Sequence, residues 1–147
     1  MDYGVRALVD LATHAGAPAR AADIARRNAI PEPFLEQLLN QLAKHGFTKS
    51  QRGPQGGHML ALEPRDISLA MVMSALGEAE SVVGCLLHEE KCSLSGACAQ
   101  RDVWRSVEDA IQSILSTTSI ADLVERTRAR VPVLLKLNRA EATPTGS

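Results

Sequence analysis

Apolar positions recur at helical spacing in several stretches of the chain, and turn residues separate them. Residues 3 to 15 place Tyr3, Leu8, Leu11 and Ala12 on one side, with Arg6 and Asp10 interspersed. This predicts a helix ended by Gly16, Ala17 and Pro18. Arg20 to Asn28 predicts a second, short helix anchored by Ile24. After the connection Ala29-Ile30-Pro31-Glu32-Pro33, a third helix is expected from Glu32 to His45. Proline is tolerated in its first turn, where backbone N–H groups have no intrahelical partner. This helix carries the cleanest pattern. Leu35, Leu38, Leu39 and Leu42 form one apolar stripe, Glu36, Gln37, Asn40, Gln41 and Lys44 lie opposite, and Gly46 supplies the stop.

Two short runs, 47–51 and 58–62, flank Arg52-Gly53-Pro54-Gln55-Gly56-Gly57, which is a hairpin signal. Three helices followed by a hairpin is the order of a winged helix-turn-helix. Ser68 is placed to cap a helix from Leu69 to Leu76, ended by Gly77. Ala99 to Ser116 reads as the longest helix, with Val103, Val107, Ile111, Ile114 and Leu115 at helical spacing and Trp104 beside them. A small winged domain has nowhere to bury that stripe, so a second subunit is its expected cover. A last helix is expected from about Ile120 to Arg130, starting at Thr118 or Ser119. The polar residues 138–147 read as a flexible end. The expected fold class is mainly α with a small β-hairpin: a winged helix-turn-helix domain plus a long dimerisation helix. The expected organisation is a DNA-binding unit over 1–67, a cysteine loop and dimerisation helices over 68–131, and a flexible tail over 132–147.

Composition narrows the function. The chain has 147 residues, 45% hydrophobic and only 3% aromatic, a bias that favours helices over sheets. No apolar run approaches the roughly 20 residues of a membrane span, and no signal-like start is present, so a cytoplasmic protein is expected. The formal net charge of −1 argues against a generic polyanion binder, but the average conceals two segments. Lys44, Lys49 and Arg52 stand together without an acidic residue, whereas 78–92 holds four Glu against one Lys. The polar face of the third helix has side chains that read base edges, although solvation alone accounts for many such faces. The Gly-rich hairpin tip with Arg52 and Gly53 lets a guanidinium and bare N–H groups approach phosphates or a narrow groove.

Three cysteines, Cys85, Cys92 and Cys98, lie within fourteen residues at C-x6-C-x5-C spacing. An odd number bunched on one loop is a poor disulfide framework and suits a metal or a reactive thiol. Structural zinc sites use closer pairs, so the wide spacing with Gly96 between favours an iron–sulfur cluster. Three thiolates leave one position for another ligand. Pairwise thiol oxidation and zinc remain rivals, while a catalytic cysteine with His88 as base lacks any accompanying motif. An enzyme is not expected. His14, His45 and His58 are dispersed and read as structural.

These stretches resemble the bacterial iron–sulfur-dependent winged-helix repressors typified by IscR and NsrR. The resemblance rests on residues 2–8, 22–25, 34–38 and 52–57, the three cysteines, and Trp104 six residues after Cys98. It covers residue 2 to about 126 and implies a homodimeric regulator of double-stranded operator DNA with one cluster per subunit. By position it implies Pro33, Phe34, Glu36 and Gln37 in the major groove, with Asn40 on the same face, Arg52 and Gly53 in the adjacent groove, and Cys85, Cys92 and Cys98 as ligands. Glu accepting from a cytosine amino group and Gln pairing with adenine are the expected readouts. The IscR branch takes its fourth ligand from a His three residues after the last Cys, where this chain has Arg101. The NsrR branch uses an N-terminal Asp of the other subunit, and Asp2 falls at that position, with Glu89, His88 or a small molecule as competitors. The resemblance leaves 2Fe–2S and 4Fe–4S both open, together with the signal sensed: iron supply, nitric oxide or oxidant. The chain begins a few residues later than the family pattern, which leaves room for an upstream start, and His58 stands where the family tends to carry Tyr.

Overall fold

The computed structural model describes residues 2–77, 86 and 97–141, with side chains to 132. Cys85, Cys92, His88 and Glu89 lie outside the described residues. Among the described residues, six helices and a two-stranded antiparallel hairpin follow one another: α1 (Asp2–Thr13), α2 (Ala21–Asn28), α3 (Glu32–Lys44), β1 (Thr48–Gln51), β2 (Gly57–Leu60), α4 (Leu69–Ala75), α5 (Ala99–Thr117) and α6 (Ile120–Glu141). A short 3-10 turn, Pro64–Asp66, precedes α4.

Helix α1 is central because it contributes apolar residues to two clusters. Ala7 and Leu11 pack with Ile24, Ala25 and Ile30 and with Leu35 and Leu39 of α3. Leu8 and Ala12 pack with Leu42, Phe47, Ile67, Val72, Ile120 and Val124. The second cluster joins residues on both sides of position 67, so α4 and the start of α6 share a core with the first three helices. That sharing is sealed by backbone bonds: Leu69 N–H donates to Thr118 O at 2.9 Å, and Ile120 N–H to Ile67 O at 2.9 Å.

Local chemistry explains the boundaries. Between α2 and α3, Ala29 takes a left-handed conformation (φ 52°) and Ile30 N–H reaches back to Ala25 O, making the tight corner. Ser68 accepts from Met71 N–H at the start of α4. Ser119 and Asp122 form a reciprocal cap at the start of α6: Ser119 N–H donates to the Asp122 carboxylate at 2.8 Å, and Asp122 N–H donates to Ser119 Oγ. Asp122 is held below the usual carboxylate range by that backbone bond first, and by the Ser119 hydroxyl second.

Two expectations are corrected. Among the described residues the longest helix is α6, with 22 residues against 19 for α5, and it runs to Glu141 rather than ending near Arg130, so its helical backbone enters the segment expected as a flexible tail. Pro132 removes one backbone donor, but the leucine-rich flanks are good helix formers and carry the backbone past it. Among the described residues, no helix is long and apolar enough to cross a membrane.

Candidate nucleic-acid interface and cysteine centre

Leu35, Leu38, Leu39 and Leu42 are buried, which turns the opposite face of α3 outward. Pro33, Phe34, Glu36, Gln37 and Asn40 are all exposed on it. The structure therefore brings together the five residues of α3 that the sequence proposed. Phe34 has a second partner that the sequence did not reveal. Its ring meets Tyr3 of α1 edge-on, with centroids 5.6 Å apart and planes at 75°. Arg6 lies over the Tyr3 ring at 5.8 Å, so α1 braces the start of α3 through stacked side chains.

The hairpin projects beside this face. Its register pairs Thr48 with Leu60, Lys49 with Met59, Ser50 with His58 and Gln51 with Gly57. Arg52 and Gly53 are exposed at the tip, and Gly53 has a positive φ of 116° that makes the turn. Behind the tip, the hairpin is bonded to the strand-like residue before α2. Ala19 N–H donates to His58 O at 2.9 Å and His58 N–H to Ala19 O at 2.7 Å. A Cβ on Gly57 would lie 2.5 Å from Ala19 O, so only glycine admits this approach. Arg20 reaches the tip as well, donating from Nη2 to Pro54 O at 2.7 Å.

Two further groups shape the site. Burial pushes the His58 imidazole below its ordinary pKa, and Glu36 on α3 pulls it partly back. His58 Nδ1 is buried without a hydrogen-bond partner among the described residues. Asp10 of α1 is 8% exposed and accepts two bonds from Arg27 of α2, at 2.9 and 2.6 Å. This pair fixes the helix that supports α3.

Of the cysteines, Cys98 alone is described. Its thiol makes no disulfide, it is partly exposed, and it stands at the N-cap of α5. Asp2 pairs with Arg6 of the same helix at 2.7 Å, with its side chain 68% exposed. That bond uses Asp2 Oδ2, so a metal at Asp2 would share the carboxylate with the guanidinium or replace it. Among the described residues, no group of three or more His, Cys, Asp or Glu is gathered into a metal-holding set. Helix α5 buries none of its residues, and Val103, Trp104, Val107, Ile111 and Ile114 are exposed, Ile114 by 64%.

Comparison with known proteins agrees with this architecture. The family model Rrf2, described as "Iron-dependent Transcriptional regulator", matches residues 1–126. The HTH-type transcriptional regulator IscR of Aliivibrio salmonicida is 38% identical over 124 residues, covering 83% of this chain and 73% of that protein. CymR, the global cysteine regulator of B. subtilis, has a solved structure with a TM-score of 0.74 and 32% identity, covering 85% of this chain and 92% of that one. The structure of T. potens IscR gives a TM-score of 0.69 at 35% identity, covering 86% and 83% of the two chains. The chain belongs to the Rrf2 family of transcriptional regulators.

Proposed function

We propose that this regulator binds operator DNA as a homodimer and that an iron–sulfur cluster on Cys85, Cys92 and Cys98 sets its affinity. The observation that carries the DNA reading is the exposed face of α3, with Glu36, Gln37 and Asn40, beside a hairpin tip bearing Arg52. In this reading α3 enters the major groove with Pro33 and Phe34 at its leading end. Glu36 accepts from a cytosine amino group and Gln37 pairs with an adenine edge. Arg52 and the Gly53 backbone approach the neighbouring groove. The apolar stripe of α5 covers the same stripe of a second copy, which spaces the two α3 helices about one DNA turn apart.

The cluster reading is supported by three bunched cysteines, of which Cys98 is free and partly exposed, and by similarity to proteins named IscR. Asp2 of the partner subunit is the proposed fourth ligand, with Glu89, His88 and a small molecule as competitors. When bound, either a 2Fe–2S or a 4Fe–4S cluster supplies a centre whose loss or oxidation changes the charge and order of its loop. Arg6 then has a role of its own, joining the Asp2 carboxylate to the Tyr3 ring, which touches Phe34. A second reading, thiol oxidation of the same cysteines without a cluster, draws support from the similarity to a cysteine regulator.

Protein purified without oxygen should be brown, with iron and acid-labile sulfide in it, and should bind a duplex selected from a random pool more tightly or more weakly after the colour is bleached. Colourless protein after attempted reconstitution, with DNA affinity responding to oxidant alone, would replace the cluster reading by the thiol one. Asp2→Ala should speed cluster decay, and an unchanged spectrum and decay rate would remove Asp2 from the ligand set.

A further inference from the structure

Arg20 occupies the N-cap position of α2, where short side chains that accept N–H bonds are favoured, and it makes no capping hydrogen bond. A helix start that departs from its local preference without return inside the helix marks a residue serving another part of the fold. Here that part is the hairpin. The Arg20 guanidinium donates to Pro54 O at 2.7 Å across a separation of 34 residues.

Pro54 lies in the turn that carries Arg52 and Gly53. The strand ladder next to the turn is already held by the two Ala19–His58 backbone bonds and by the close approach of Gly57 to Ala19. The tip is different. It contains Gly53 and Gly56 on either side of Pro54 and Gln55, and glycine backbones sample many conformations. Within the turn itself, Gly56 N–H donates to Gly53 O at 3.0 Å, which closes the loop without aiming it. The bond from Arg20 ties that closed turn to the helix pair that presents α3.

We infer that Arg20 is a positioning residue for DNA binding: by holding the Pro54 carbonyl it aims Arg52 into the groove next to the one read by α3. The inference rests on the proposed contact of Arg52 with DNA. It differs from a direct role for Arg20, in which the guanidinium would meet a phosphate itself.

The test compares the full chain with Arg20→Ala, Arg52→Ala and the double variant. The probe is a duplex selected from a random pool by the wild-type protein, with affinity read by fluorescence anisotropy over a salt series. Each single variant should bind about tenfold more weakly. The double variant should be no weaker than Arg52→Ala, because a misaimed Arg52 leaves nothing further to lose. The slope of log affinity against log salt should fall by about 0.9 once, not twice, in the double variant. The thermal midpoint of Arg20→Ala should stay at the wild-type value, since the side chain is exposed. Additive losses with a second decrement in slope would overturn the inference by making Arg20 a phosphate contact. Wild-type affinity in Arg20→Ala, with Arg52→Ala weakened, would overturn it outright while leaving the hairpin contact intact. Wild-type affinity in Arg52→Ala would remove the hairpin contact, and the inference with it.

Discussion

Replacing Arg27 by Met tests how much one ion pair between α1 and α2 stabilises the fold. Arg27 of α2 donates to both carboxylate oxygens of Asp10 on α1, at 2.9 and 2.6 Å. The hydrogen bond to Asp10 raises the Arg27 pKa most, against the opposing effect of burial. Asp10 is nearly buried, so removing the guanidinium leaves its carboxylate with only His14 Nδ1, 3.6 Å away, as a neighbouring ionisable group among the described pairs. Breaking a fully buried pair costs about 3–5 kcal/mol. The Arg27 side chain remains 33% exposed, which leaves part of its attraction screened by solvent, and about 2 kcal/mol is the expected loss. Met keeps the aliphatic stem in place, so the loss reports the charge and not a cavity. Urea unfolding should show a lower midpoint at constant slope, and thermal unfolding a midpoint about 6 °C lower. The double variant Asp10→Asn with Arg27→Met should recover much of the loss, because neither group is then buried without its partner. A loss under about 0.5 kcal/mol, or simple additivity in the double variant, would refute the reasoning. DNA affinity of the folded fraction should be unchanged, since neither residue lies on the exposed face of α3.

Three further outcomes are expected. Gly57→Ala forces a Cβ to within 2.5 Å of Ala19 O, so β2 must shift away from Ala19, at a cost of about 1–3 kcal/mol, and amide exchange at His58 should quicken; wild-type stability would contradict the close approach. Ile111→Asp on α5 should leave the fold intact, because that helix buries none of its residues, while sedimentation shifts from dimer to monomer. A dimer that survives the charge would place the interface elsewhere. Asp122 has a folded pKa below its unfolded value of about 3.9, so its cap stabilises the protein above that pH and the contribution is lost as pH falls through the lower folded value. Asp122→Asn should therefore flatten this part of the acid limb of the stability profile below about pH 4, and an unaltered limb would show that the carboxylate does not report the cap.

Much of the architecture was legible because its causes are local. The stripe of Leu35, Leu38, Leu39 and Leu42 needs only helical periodicity to set which face of α3 is buried, and the face carrying Glu36, Gln37 and Asn40 follows from it. Ser68 announces α4, and Gly53 and Gly57 announce the hairpin, because capping and turn geometry are properties of a few consecutive residues. The end of α6 was less legible. A proline at 132 reads as a stop, yet one missing donor weighs less than the helix-forming residues around it.

Contacts between distant residues belong to the tertiary structure alone. The Tyr3–Phe34 pair and the Arg20–Pro54 bond join positions 31 and 34 residues apart, and no periodicity relates them. Sequence patterning determined which faces are apolar, because burial of a stripe is decided turn by turn. Only packing decided that α1 serves two clusters, that Asp10 meets Arg27, and that β2 rests on Ala19. Those pairings depend on how helices and hairpin dock in space, and docking is a property of the whole chain.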